Sequence, residues 1–185
     1  GDKLIIGALL GTEALGIYYF AFNAGLGITQ SFVSACNLVV FPHLAKMRDA
    51  DLLPEFRKAF AAGLALLAPV VAAQALLAPI YVPVVFGKTW VPATPYIALL
   101  ACAALPLYAG SLLGARYRAA GRPQSETIVT ALASAAALAG LSIGAAFSLS
   151  WACFGYGAAM AAVFLPAIGA SLLGRTATFT PKLQG

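Results

Sequence analysis

Asn23, Gly27, Gln30, Ser34 and Asn37 follow one another at intervals of four, three, four and three residues inside an apolar stretch. That spacing places all five on one face of an α-helix. A face of carboxamides and hydroxyls can hydrogen-bond a polar ligand or a neighbouring helix, but it supplies no acid, base or nucleophile. A second candidate set is Asp2 and Lys3, a carboxylate and an ammonium side by side in an apolar segment. Catalytic groupings are missing. The single histidine, His43, sits beside Pro42, and the six acidic residues are spread over loops and helix ends. No Ser-His-Asp set, metal-ligand spacing or Gly-rich phosphate loop can be assembled. Cys36, Cys102 and Cys153 lie far apart in apolar runs without a CxxC pair, so they read as small buried residues. No enzyme activity, metal or cofactor is expected.

The elements that position these groups follow from composition. Of 185 residues, 62% are hydrophobic and 9% charged, and the mean hydropathy is +0.91. Soluble domains carry about 25% charged residues. Such a chain has too little polar surface for a cytosolic enzyme, a disordered chain or a nucleic-acid-binding domain. It reads as an integral membrane protein. Strands are not expected, because transmembrane barrels alternate apolar and polar residues and these runs are continuous. The first residue is Gly1, with no signal-peptide pattern, and the apolar stretch 4–10 is shorter than the about 20 residues of a crossing. The chain is therefore expected to begin inside a helix, as a piece of something longer.

Charges divide the rest into spans. Residues 127–174 hold 48 positions without a charge, which as one helix would extend ~72 Å, more than twice the hydrocarbon core. They must fold into two spans, turning at Ser148-Leu149-Ser150-Trp151 with Trp151 as an interfacial anchor. The expected fold is all-α, a polytopic transmembrane bundle of about six spans at 1–11 (truncated), 14–44, 57–82, 92–116, 125–147 and 151–174. Lys46, Arg48, Arg57 and Lys58, then Arg116, Arg118 and Arg122, then Arg175 and Lys182 all fall on one side of alternating spans. The other side receives Lys88 alone, with Lys3 inside the first helix. By the positive-inside rule the loops at 45–58 and 116–126 and the C-terminus are cytoplasmic. The acidic residues Asp49, Asp51 and Glu55, with Pro54, make the first of these loops a short solvated connection.

At membrane depth the polar face takes on meaning, because unsatisfied polar groups in lipid cost several kcal/mol each. It serves either as hydrogen-bonding glue between helices or as a cavity lining. Asp2 and Lys3, also near mid-membrane, either neutralise each other or serve function. Pro69, Pro79, Pro106 and Pro166 interrupt later spans, and Ala133, Ala136, Ala137, Gly140 and Gly144 predict close packing of the fifth.

Taken in order, several short runs resemble the polysaccharide transporter family of the multidrug/oligosaccharidyl-lipid/polysaccharide exporter superfamily. They are Asp2-Lys3-Leu4-Ile5-Ile6-Gly7, Leu15-Gly16-Ile17-Tyr18, Phe41-Pro42-His43-Leu44, Ala93-Thr94-Pro95, Ala120-Gly121-Arg122-Pro123 and, most specific, Tyr81–Trp90 with its Phe86-Gly87. The resemblance implies a two-lobe transporter of which this chain is most of the second six-helix lobe, without the N-terminal lobe. It implies a flippase that moves undecaprenyl-pyrophosphate-linked oligosaccharide across the bacterial inner membrane by alternating access, with membrane lipids and the missing lobe as its other partners and no nucleic acid. Asp2, Lys3 and Tyr18 match recurrent family positions, and Asn23, Gln30, Ser34 and Asn37 join them from the polar face. A sister function is a cation-coupled drug or lipid-precursor exporter, which would want a membrane-embedded carboxylate such as Asp2. From a different class come a non-transporting scaffold and an acyltransferase subunit; the latter needs an intramembrane histidine, and His43 lies at a boundary.

Overall fold

The computed structural model describes residues 1–46 and 49–174, and these are helical almost throughout, with no strand among them. Arg48, Arg175 and Lys182 of the basic loops lie outside the described residues. Seven α-helices follow in order: α1 (Asp2–Ala21), α2 (Ile28–Ala45), α3 (Asp49–Tyr81), α4 (Thr94–Cys102), α5 (Ala104–Ala119), α6 (Pro123–Ala145) and α7 (Leu149–Leu172). A π-helical segment, Phe22–Gly27, joins α1 to α2, and a second, Val82–Phe86, extends α3. Five stretches are long and apolar enough to cross a membrane: Asp2–Ala45, Leu52–Phe86, Lys88–Ala119, Pro123–Ala145 and Leu149–Leu172.

The first of these is bent double. Gly11 sits at φ 86° and ψ 177°, a left-sided conformation that L side chains rarely adopt. The arms on either side of it fold together. The Tyr18 hydroxyl donates to the Asp2 carboxylate at 3.1 Å, although sixteen residues separate them. In a straight helix that separation would be about 24 Å. Residues 2–10 and the stretch after residue 11 are therefore two antiparallel arms hinged at Gly11.

The stretch Lys88–Ala119 forms the centre of the bundle. Leu100, Ala101, Ala104, Tyr108, Leu112 and Leu113 are almost fully buried. Continuous helix is lost at Ala103, three residues before Pro106, whose ring lacks the N–H for a bond to the preceding turn. The Tyr108 hydroxyl donates to the Ala59 carbonyl of α3 at 2.9 Å. On the far side, α6 and α7 pack backbone to backbone: a Cβ on Gly140 would collide with the Gly155 carbonyl, and one on Gly144 with Trp151. Small residues make that approach possible. Ser148 caps α7, its Oγ accepting from the Trp151 N–H, and Trp151 itself is exposed.

Arg57, Lys58, Arg116 and Arg118 are held by hydrogen bonds and ion pairs. Arg116 Nη1 donates to the Ser171 carbonyl at 2.6 Å and Arg57 Nε to the Leu172 carbonyl at 2.8 Å. Both bond carbonyls in the last turn of α7 and place positive charge at its negative pole. Arg118 pairs with Glu126 and lies over the Phe41 ring, and Glu55 bridges His43 at 3.3 Å and Lys58 at 2.6 Å.

Candidate functional site

The polar residues expected in one row are divided by the π-helical segment. A π turn takes more residues than an α turn, so Asn23, inside Phe22–Gly27, is out of phase with the α-helical positions that follow. The widened turn frees backbone carbonyls, and neighbours take them up. Gln74 of α3 donates its amide to the Ala24 carbonyl. Thr29, fully buried, donates its hydroxyl towards the Leu26 carbonyl at 2.9 Å and the Gly25 carbonyl at 3.3 Å. Gly25 presses on α4, where an added Cβ would lie 2.8 Å from the Ile97 carbonyl oxygen. The irregular backbone is thereby fixed against α3 and α4.

Beyond it, Gln30, Ser31 and Ser34 are exposed on α2 and, with Gly27, Ala35 and Leu38, line an open groove of about 540 Å³. Ser34 donates to the Gln30 carbonyl at 2.9 Å and Ser31 to the Gly27 carbonyl at 3.2 Å. Asn37 is turned elsewhere: half-buried, it donates to the Ser111 hydroxyl of α5 and joins two helices. The two readings of the polar face therefore separate by residue. Asn37 acts as glue, whereas Gln30 and Ser34 spend hydrogen bonds only on their own helix, through Ser34.

Asp2 and Lys3, adjacent in sequence, face different surroundings. The Asp2 carboxylate accepts from the fully buried Tyr18 and borders a cavity of about 240 Å³ shared with Phe22, Ser134, Tyr156 and Met160. Lys3 makes no ion pair with it. The ammonium lies instead 4.4 Å from the centre of the Tyr19 ring and 5.5 Å from that of Phe22. Tyr19 is 53% exposed, and the exposed Asn23 donates its amide to the Tyr19 carbonyl at 2.7 Å. Lys3, half-buried, thus rests against the exposed Tyr19 ring, while Tyr18 is buried.

Several contributors escape sequence reasoning. Tyr19 reads as one aromatic among many until the hairpin at Gly11 brings Lys3 onto it. Gln74 and Ser111 are polar residues in apolar spans, a signal of buried hydrogen bonding available from the sequence but without a partner assigned. Among the described residues no three His, Cys, Asp or Glu side chains converge.

An all-helical bundle with five membrane-length segments and polar groups at their depth defines a polytopic membrane protein. Over residues 1–95, half of the chain, it matches the model for the polysaccharide biosynthesis protein family, and the chain belongs to that family. No curated protein and no solved structure matches it.

Proposed function

We propose that this chain is the second lobe of a flippase that carries undecaprenyl-pyrophosphate-linked oligosaccharide across the bacterial inner membrane. The basic loops lie in the cytoplasm, and an N-terminal lobe of the same polypeptide closes the cavity. The carrying observation is that Asn23, Gln30, Ser31 and Ser34 are exposed along a stretch long enough to span the bilayer, with the half-buried Lys3 folded against its start. Ser31, Ser34 and Asn23 each place a donor on their own helix, but hydrocarbon would leave the Gln30 amide and the Lys3 ammonium unsatisfied at several kcal/mol each, so this face belongs against water or a polar ligand. Carboxamides and hydroxyls suit a glycan, and an ammonium suits a pyrophosphate. An intramembrane cation costs about 2.5–3.5 kcal/mol on insertion scales, and among the described residues no carboxylate pairs with Lys3 to offset it. Membership of a polysaccharide biosynthesis family supports the same substrate class.

The test is export of cell-surface polysaccharide by the full-length protein. Lys3→Ala should abolish export at a normal level of inserted protein, and Lys3→Arg should keep part of it. The double change Asp2→Asn with Lys3→Gln removes both charges; normal export by that variant would take Lys3 out of the mechanism. One observation favours the sister reading, a cation-coupled exporter: the Asp2 carboxylate borders a cavity lined by Tyr156 and Ser134. Export that stops with Asp2→Asn, yet persists in Lys3→Ala, would favour it.

A further inference from the structure

The proposed function leaves open what keeps the Lys3 ammonium in place. A lysine side chain has four flexible carbons, so a free one would be a diffuse charge. A carboxylate partner would fix it but would also cancel it. Here the adjacent Asp2 is engaged by Tyr18, and the ammonium rests over two aromatic faces, nearer to Tyr19 at 4.4 Å than to Phe22 at 5.5 Å. A ring quadrupole attracts a cation without neutralising it. The contact depends on the Gly11 hairpin, which sets the first turn of the chain against residues 18–22. Tyr19 is held in turn, because its carbonyl accepts from Asn23 at 2.7 Å at the start of the π-helical segment.

From this geometry we propose that Tyr19 is a positioning residue for Lys3. Its ring holds an uncancelled ammonium, and this cation takes the anionic pyrophosphate of the lipid-linked substrate. The proposal rests on the flippase reading and adds to it a residue and an anchoring point. The ring face is the working part, and the phenol hydroxyl is not needed.

The experiment measures binding of farnesyl pyrophosphate, with farnesol as the uncharged control, to the purified full-length protein in detergent. Tyr19→Leu removes the ring and should weaken farnesyl pyrophosphate about threefold to tenfold, the worth of one partly desolvated cation–π contact. Farnesol binding should change by less than about twofold, within the spread of a substitution that touches no apolar site. Tyr19→Phe should recover what Tyr19→Leu loses, and Lys3→Ala should lose as much or more. Equal loss of both ligands in Tyr19→Leu would show damage to the fold and overturn the positioning role, as would a Tyr19→Phe variant as weak as Tyr19→Leu. Lys3→Ala with undiminished pyrophosphate binding would overturn the anion site and the flippase reading of Lys3 together. A weak Lys3→Ala beside an unaffected Tyr19→Leu would overturn only the role of Tyr19.

Discussion

Replacing Gly140 by alanine adds one methyl where α6 and α7 meet backbone to backbone. The new Cβ would lie 2.9 Å from the Ala159 Cβ and closer still to the Gly155 carbonyl. Carbon atoms pack best at about 3.5–4.0 Å, so the helices must separate by roughly 1 Å at this point. A gap of about 0.5–1 Å forfeits a quarter to a half of each dispersion well it opens, and the whole α6–α7 seam opens together. Overpacking of this kind costs about 1–3 kcal/mol, or about 3–10 °C in midpoint for a chain of this size. Gly169→Ala is the control: it lies in α7, the other helix of the seam, with nothing within 4 Å of an added Cβ. There alanine should hold or raise the midpoint, because glycine is worse than alanine in a helix by about 0.5–1 kcal/mol. The assay is thermal unfolding in detergent, read as the fraction of monodisperse protein left after heating. A further test lies in the double variant. Gly155 and Gly140 face each other, each added Cβ meeting the other's carbonyl, so once one alanine has parted the helices the second finds part of its room already made. The double variant should fall short of the sum by more than about 0.5 kcal/mol. Equal midpoints for Gly140→Ala and Gly169→Ala, or strict additivity of the pair, would refute the close-packing argument.

Two other outcomes are expected. In a double-mutant cycle of Asn37→Ala and Ser111→Ala, the coupling should be about 0.6 kcal/mol and no more than about 1.7, the range for interhelical hydrogen bonds in membranes; zero coupling would return Asn37 to the groove. A cysteine placed at Gly121 should be labelled by a membrane-impermeant thiol reagent only from the cytoplasmic side and one at Thr89 only from outside, in a background lacking Cys102; the reverse pattern would overturn the proposed orientation.

Much of the architecture is legible along the chain because a bilayer leaves few choices. Long uncharged runs must be helices, since only helices satisfy their own backbone in lipid without a partner strand. The run at 127–174 is too long for one span and must turn; α6 ends at Ala145 and α7 begins at Leu149, so the turn falls just before the 148–151 expected. Small residues at four-residue spacing likewise announce the α6–α7 seam, because absence of side-chain bulk is a property of sequence.

The site was legible only in part, because its contacts join residues by routes that local spacing cannot describe. A helical wheel treats 23–37 as one regular helix, yet Phe22–Gly27 is π-helical. That irregularity is held by Gln74, fifty residues away, and by a buried Thr29. The sequence names Asn37 and Gln30 as equivalent, and only packing against Ser111 makes one a tie between helices while leaving the other exposed. Asp2 and Lys3 look like a natural ion pair, being neighbours of opposite charge. Successive side chains on a helix point about 100° apart, and the fold-back at Gly11 offers each a different partner: a hydroxyl for the carboxylate and an aromatic face for the ammonium. Sequence alone determined that this protein crosses a membrane as a helical bundle, because hydropathy and segment length are local quantities. Which polar groups are consumed by the bundle and which stay exposed is a matter of long-range contact, and only the tertiary structure decided it.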